Sequence, residues 1–267
     1  VGALIAGGGI AGSALFRYMA DSGLNPVLVN ADRGSSWRNI GGGRTAFSLP
    51  ELAEIAEHNH AIFKELQKIS NIDYKTTRYI NLAHDEPTFN ALDASRAWSD
   101  AYMVDPKNFQ KEISPYFSTK SKRYLGALIT NDCWQATPGK VVDLIRNMGI
   151  SAGGRIVEDC KVLEVMKEGS TYSILVLTHD KKYVEFRTEI FVNALGAGAG
   201  KICEGLGIHA GLYPVRHQAF ITRRLPMLGK NGDSLDMLID RQEYKGFSAV
   251  YGQQLVHKGQ IIGCASP

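Results

Sequence analysis

The sequence predicts an α/β protein, with a Rossmann-like nucleotide-binding domain interleaved with a smaller, mostly antiparallel β-sheet domain. Two observations carry the prediction. The opening residues, through Arg33, read as strand, glycine turn, helix and second strand, the pattern of a β-α-β crossover. From Pro214 onward the chain reads instead as short strands alternating with turns, the pattern of an antiparallel sheet. The totals agree. A chain of 267 residues suffices for one large domain or two smaller ones, and 44% hydrophobic with 21% charged residues is ordinary for a globular protein.

Ala3-Leu4-Ile5-Ala6 is the first strand, and the run that follows fits G-x-G-x-x-G at Gly7, Gly9 and Gly12. Gly7 allows the tight turn, Gly9 the close approach of a pyrophosphate, and Gly12 the packing of helix on sheet. The helix N-terminus offers unpaired N–H groups to the phosphates. The helix is expected to turn Ile10, Ala11, Ala14, Leu15, Tyr18 and Met19 to one face and to stop at Gly23. Val27-Leu28-Val29 is the second strand. An acid after it would hold the ribose hydroxyls. Asp32 is the expected ligand, with Asn30 as a helper and Arg33 closing the unit.

The segment Gly34 to Arg44 carries four glycines and two arginines, and Trp37 and Ile40 within it argue for an ordered loop. Ser48-Leu49-Pro50-Glu51 reads as a capping box. It opens a helix with Leu52, Ile55, Ala56, Ile62, Phe63, Leu66 and Ile69 inward, and His58 and His60 at the surface. A strand is expected at 79–82, polar helical turns over roughly 88–112, and a strand at 124–129. A helix then runs from Pro138 to Gly149. Strands are expected at 155–165, 172–178, 183–186 and 190–194, then at 215–222, 237–240, 247–251 and 260–264.

The net charge of +3 is too small to argue for nucleic acid, and the short basic run Lys120-Ser121-Lys122-Arg123 reads as a solvated loop. No apolar stretch approaches the roughly 20 residues that cross a bilayer. Cys133, Cys160, Cys203 and Cys264 are scattered singly, without metal-ligand spacing, so no metal is expected. Reduced thiols and the lack of a visible signal peptide give a cytoplasmic expectation, although the chain begins at Val1 and a leader removed earlier would leave no trace.

With these residues in view, the chain resembles the FAD-dependent amine and amino-acid oxidases typified by D-amino-acid, glycine and sarcosine oxidases (the DAO family). Four matches beyond the glycine fingerprint carry the resemblance. Gly34 to Arg44 resembles the family's second flavin loop, implying cofactor contacts from Arg38, Asn39, Gly42, Gly43 and Arg44. The strand around Asp159-Cys160-Lys161-Val162 sits where the family sets backbone against the adenine, implying Lys161 and Val162. Val192-Asn193-Ala194-Leu195-Gly196-Ala197 resembles its "V-N-A-x-G-A" turn, implying Ala194 and Gly196 at the pyrophosphate. Pro214-Val215-Arg216-His217-Gln218 then resembles the "P-V-R-G-Q" strand that enters the substrate domain. The resemblance implies an FAD-binding domain over 1–76 and 120–210, and a substrate domain over 77–119 and 211–267.

Three departures stand out. Asp32 replaces a glutamate placed directly after the strand. Arg38 stands where some relatives carry a flavin-linked histidine, which implies non-covalent FAD. The family's last glycine-rich segment, which returns to the flavin, has no counterpart before Pro267. The expectation is that residues 1–267 alone are a fragment, or are completed by a partner subunit, and by themselves bind FAD weakly or not at all and are inactive.

The reaction implied by the resemblance is oxidation of a C–N bond in a small amine or amino acid, with hydride transfer to flavin N5. A substrate carboxylate suits an arginine fork. Arg44 is the leading candidate, against a surface salt-bridge role, and Arg216 and Arg241 are weaker ones. Tyr251 and Tyr244 offer phenols to the substrate or simply pack, and His217 replaces the glycine of "P-V-R-G-Q". Two alternatives remain open. One is a tRNA-modifying FAD oxidase domain, whose relatives share the Ala31-Asp32 pair, although the charge gives it little support. The other is a non-catalytic flavoprotein subunit or scaffold.

Overall fold

The computed structural model describes residues 1–30, 33–47, 49–98, 100–120, 123–228, 235–243, 246–256 and 258–266. The chain divides into two compact units, Val1–Asn39 with Pro138–Val215, and Ile40–Thr137 with Arg216–Pro267.

The first unit is built on a four-stranded parallel sheet. Its spatial order is Phe191–Asn193, Ala3–Ala6, Pro26–Val29, Arg155–Val157. Because side chains alternate across a strand, each face gathers its own core. Leu4, Ala6, Val27 and Val29 meet Val165, Ile174 and Val176 of an antiparallel sheet made of Lys161–Glu168, Thr171–Leu177 and Tyr183–Thr188. Ile5 and Leu28 point the other way, onto Phe16. Phe16 belongs to the helix Ile10–Asp21, and glycines at 149 and 154 leave room for its ring.

This first helix buries only part of the face its apolar spacing predicts, with Leu15 and Met19 packed on the Ile5–Phe16–Leu28 cluster. Gly12, Ser13, Phe16 and Ala20 are inward, whereas Ile10 and Tyr18 are 40% and 49% exposed. The cause is the turn. Side chains next to a helix–strand junction must be small, and Ser13 Oγ donates to the Gly8 carbonyl at 3.0 Å. Gly23 does end the helix, at φ +76°. The long strand expected over 155–165 is two strands in two different sheets. Asp159, at φ +53°, turns the chain between them.

The second unit is an eight-stranded sheet. Seven strands run in the order Ala219–Ile221, Ile261–Ser266, Ala249–Gln254, Met237–Asp240, Lys75–Ala83, Gly126–Gln135, Gly42–Gly43, and Ala101–Val104 also pairs with Gly126–Gln135. All pairs are antiparallel except Met237–Asp240 with Lys75–Ala83, which is parallel. Ile80, Leu82, Ala127 and Ile129 pack with Val104, Phe109 and Ile113. The strand expected over 215–222 is only Ala219–Ile221.

The helix Pro50–Ile69 starts after Leu49, which has no capping side chain, and the expected cap Ser48 lies outside the described residues. Its buried positions are Ala56, His60 and Leu66, while Leu52, Ile55 and Ile69 are exposed. His60 is therefore a core residue rather than a surface one. The segments 40–76 and 120–137 belong to this unit, where the sequence placed them in the first. Strand Gly126–Gln135 is hydrogen-bonded along Lys75–Ala83, which makes the second unit the larger.

Candidate cofactor and substrate sites

The C-terminal ends of the parallel strands gather most of the residues expected at a dinucleotide. Gly7 adopts φ +107° and donates its N–H to Val29 O at 2.8 Å. Its backbone lies so close to Ala194 that no Cβ would fit, and a Cβ on Gly12 would run into the Gly7 carbonyl. Ser36 Oγ occupies the space beside Gly9 and accepts the Ile10 N–H at 2.9 Å. The first-turn N–H groups of Ala11 and Gly12 have no partner among the described residues, as expected at a helix start. Ala194 donates to Ala6 O at 2.8 Å, and Gly196 turns the chain at φ +56°. Thus Gly7, Gly9, Ile10, Ala11, Gly12, Ala194 and Gly196 share one end of one sheet, which is where open α/β sheets bind ligands.

Asn30 is buried at the end of the second strand. Its Oδ1 accepts the Gly8 N–H at 3.1 Å and its Nδ2 donates to Glu158 Oε2 at 2.9 Å. Glu158 also accepts from Arg146, which lies over the Trp37 ring at 5.9 Å. Burial lowers the Arg146 pKa. None of Glu158, Arg146 or Ser36 announces itself in the sequence, because each meets its partners across a distant turn. Cys160 N–H donates to Asn30 O, so Lys161 and Val162 begin their strand beside Asn30. The Arg33 carbonyl accepts from Arg38, and Asn39 Nδ2 donates to Ser36 O at 2.8 Å. Asp32 and Ala31 lie outside the described residues.

In the second unit, Gly42 and Gly43 form a short strand on Gly126–Gln135. Gly42 faces the Tyr79 hydroxyl and Gly43 the Trp134 ring, with no room for a Cβ at either. The next residue, Arg44, lines a cleft of about 1060 Å³ together with Asn81, His84, Thr130, Arg241 and Glu243. Arg241 Nε donates to Asn81 Oδ1 at 2.9 Å, and the Arg44 guanidinium lies 4.5 Å over the Phe47 ring. Neither arginine has an ion-pair partner among the described residues. Desolvation and the positive charge of Arg44 lower the Arg241 pKa. His84 Nε2 sits 2.7 Å from Asp240 Oδ1. Burial pushes the Tyr79 phenol well up, and burial with a hydrogen bond to Cys264 pushes Tyr251 up to about 12.

Tyr251 lines a separate depression of about 390 Å³ with Phe220, Leu238 and Val250. His217 is exposed, its Nδ1 3.9 Å from Cys264 Sγ, and it lines neither hollow. Tyr244 lies outside the described residues. Among the described residues no cluster of His, Cys, Asp or Glu could hold a metal ion. No helix there is long and apolar enough to cross a membrane.

The sequence model of FAD-dependent oxidoreductases of the DAO type matches residues 3–255. The chain belongs to the DAO family. A curated relative, the anaerobic glycerol-3-phosphate dehydrogenase subunit A1 of Haloferax volcanii, is 26% identical over 240 residues, covering 79% of this chain. The chain spans only 39% of that relative's length. Among solved structures, L-proline dehydrogenase from P. horikoshii superposes with a TM-score of 0.80 at 22% identity, over 97% of this chain and 68% of that one. Glycine oxidase from Geobacillus kaustophilus gives 0.81 at 18% identity, over 99% and 70%.

FAD is the cofactor of the DAO family, and the first unit has the features a dinucleotide requires. The strand–turn–helix junction excludes side chains at Gly7 and Gly12, leaves the Ala11 and Gly12 N–H groups without a partner among the described residues, and keeps Ile10 and Ala11 at the surface.

Proposed function

We propose that the protein oxidises the C–N bond of a small amine or amino acid that carries a carboxylate. The observation that carries this reading is the presence of Arg44 and Arg241 in one polar cleft, neither neutralised by an acid among the described residues. A guanidinium binds a carboxylate through two parallel hydrogen bonds. Asn81 fixes Arg241 through Nε and leaves its terminal nitrogens to a ligand. The raised pKa values of Tyr79 and Tyr251 keep both phenols protonated near neutral pH, as hydrogen-bond donors rather than bases.

When bound, FAD supplies two-electron acceptance, at N5, for the hydrogen lost from the carbon next to nitrogen. The N–H groups of Ala11 and Gly12 and the Ala194–Gly196 turn would hold its pyrophosphate, and the backbone at Lys161 and Val162 its adenine. Arg38, in place of a linking histidine, supports non-covalent attachment.

The test is anaerobic titration of the full-length FAD-loaded protein with glycine, sarcosine, proline, D-amino acids and opine-like secondary amines. Bleaching of the flavin by one of them supports the reading, and no bleaching by any overturns it. One observation favours a second reading. The curated relative is named for glycerol-3-phosphate, and two adjacent arginines suit a phosphate as well as a carboxylate. Including sn-glycerol 3-phosphate in the same titration decides between them. That relative is named as a subunit, so co-purification of a partner chain is the matching test for assembly.

A further inference from the structure

We infer that Glu158, reached from the neighbouring strand, takes the place of the acid that normally follows the second strand of the crossover and accepts the ribose hydroxyls of the cofactor's adenosine. The residue in the customary position is Asn30, and both polar atoms of its buried amide already have a protein partner. Its oxygen accepts the Gly8 N–H at 3.1 Å, and its nitrogen donates to Glu158 Oε2 at 2.9 Å. Asn30 is 7% exposed, whereas the Glu158 side chain is 49% exposed. Asn30 ties the glycine turn to a carboxylate instead.

The backbone explains how Glu158 reaches this spot. Val157 is in register with Val29 on the adjacent parallel strand, Asn30 N–H donates to Val157 O at 3.0 Å, and Cys160 N–H donates to Asn30 O at 3.0 Å. The left-handed Asp159 between them folds residue 158 over the end of the second strand. The carboxylate therefore sits one side chain away from the customary position, on the same end of the same sheet.

An ionised carboxylate has about four lone-pair sites. Asn30 and Arg146 take one on each oxygen, and the side chain of Glu158 is still 49% exposed. Two vicinal hydroxyls require two acceptor sites, and these remain. Arg146 is 8% exposed and anchored on the helix Pro138–Ser151, so it fixes the carboxylate from behind. The ligand chemistry that fits is a neutral vicinal diol, which donates to the carboxylate without adding charge.

The experiment is calorimetric titration of the full-chain apoprotein with ADP and with 2′-deoxy-ADP. The wild type is expected to bind ADP about tenfold more tightly, the worth of one hydrogen bond to a charged acceptor. Glu158→Gln should abolish that preference, weakening ADP more than 2′-deoxy-ADP, which keeps only the 3′-hydroxyl, and Asp32→Asn should retain the preference. A Glu158→Gln protein that melts like the wild type and keeps the preference overturns the inference, as does its loss in Asp32→Asn alone. If Glu158→Gln fails to fold, Glu158→Asp serves. It keeps the charge toward Arg146 but draws the oxygens back by a methylene, so an undiminished tenfold preference there overturns the inference too. A wild type that binds neither nucleotide would overturn the dinucleotide site as a whole, and this assignment with it.

Discussion

The imidazole of His60 stacks on the indole of Trp134, with ring centroids 4.5 Å apart and planes 7° from parallel. His60 is 3% exposed, bonds the Tyr74 hydroxyl at 2.7 Å, and lies 3.4 Å from Asp132. Burial lowers its pKa, Lys64 adds to that, and Asp132 opposes it. The folded state thus favours neutral imidazole while the unfolded chain binds a proton near 6.5. The stabilisation is present above the unfolded value and is lost as pH falls from there through the lowered folded value. Thermal melts between pH 8 and pH 5 should show this loss, with a slope of at most about 1.4 kcal/mol per pH unit. His60→Phe, which keeps an aromatic ring on Trp134, should flatten it.

Arg44→Gln is expected to lower kcat/KM for a carboxylate-bearing substrate by roughly a hundredfold, about 3 kcal/mol of a charge-assisted bidentate contact. Arg241→Gln should cost less, because Asn81 already holds one of its donors. Steady-state kinetics on the full-length protein check both, and equal activity of Arg44→Gln with wild type would count against the cleft.

Gly12→Val should remove bound flavin. The new side chain would collide with the Gly7 carbonyl and Ala194, and overpacking of this kind costs about 1–3 kcal/mol. Flavin absorbance per mole of purified protein should fall towards zero, with a lowered melting temperature.

Acid precipitation of the loaded protein should release all of its flavin to the supernatant, since Arg38 cannot form the link that a histidine at that position makes. Yellow colour retained in the washed pellet would contradict this.

Much of the opening strand–turn–helix junction was legible because its determinants are local. Gly7, Gly9 and Gly12 lie within six residues of one another, and the strands beside them are short apolar runs. Where the reading went astray, the deciding contact was distant. The first helix was assigned its inward face from apolar spacing, yet the tight junction at Gly7 selects Gly12 and Ser13. His60 passed for a surface residue because Trp134 and Asp132, which bury it, lie more than seventy residues away. The break between Val157 and Lys161 carries no glycine or proline, and only the left-handed Asp159 marks it. Arg241 counted for little until the parallel pairing of Met237–Asp240 with Lys75–Ala83 brought it beside Asn81.

The strand Phe191–Asn193 pairs with Ala3–Ala6, and both the helix Pro138–Ser151 and Arg155–Val157 belong to the same unit. A ribosome delivers the opening crossover first, then all of residues 40–137, before the pieces that finish its sheet. In the interval Leu4 and Val27 lack the antiparallel sheet that covers them, and two sheet edges are open to other chains. Self-association should therefore be most frequent while the middle third is still being made, and chaperone dependence should concentrate in that window.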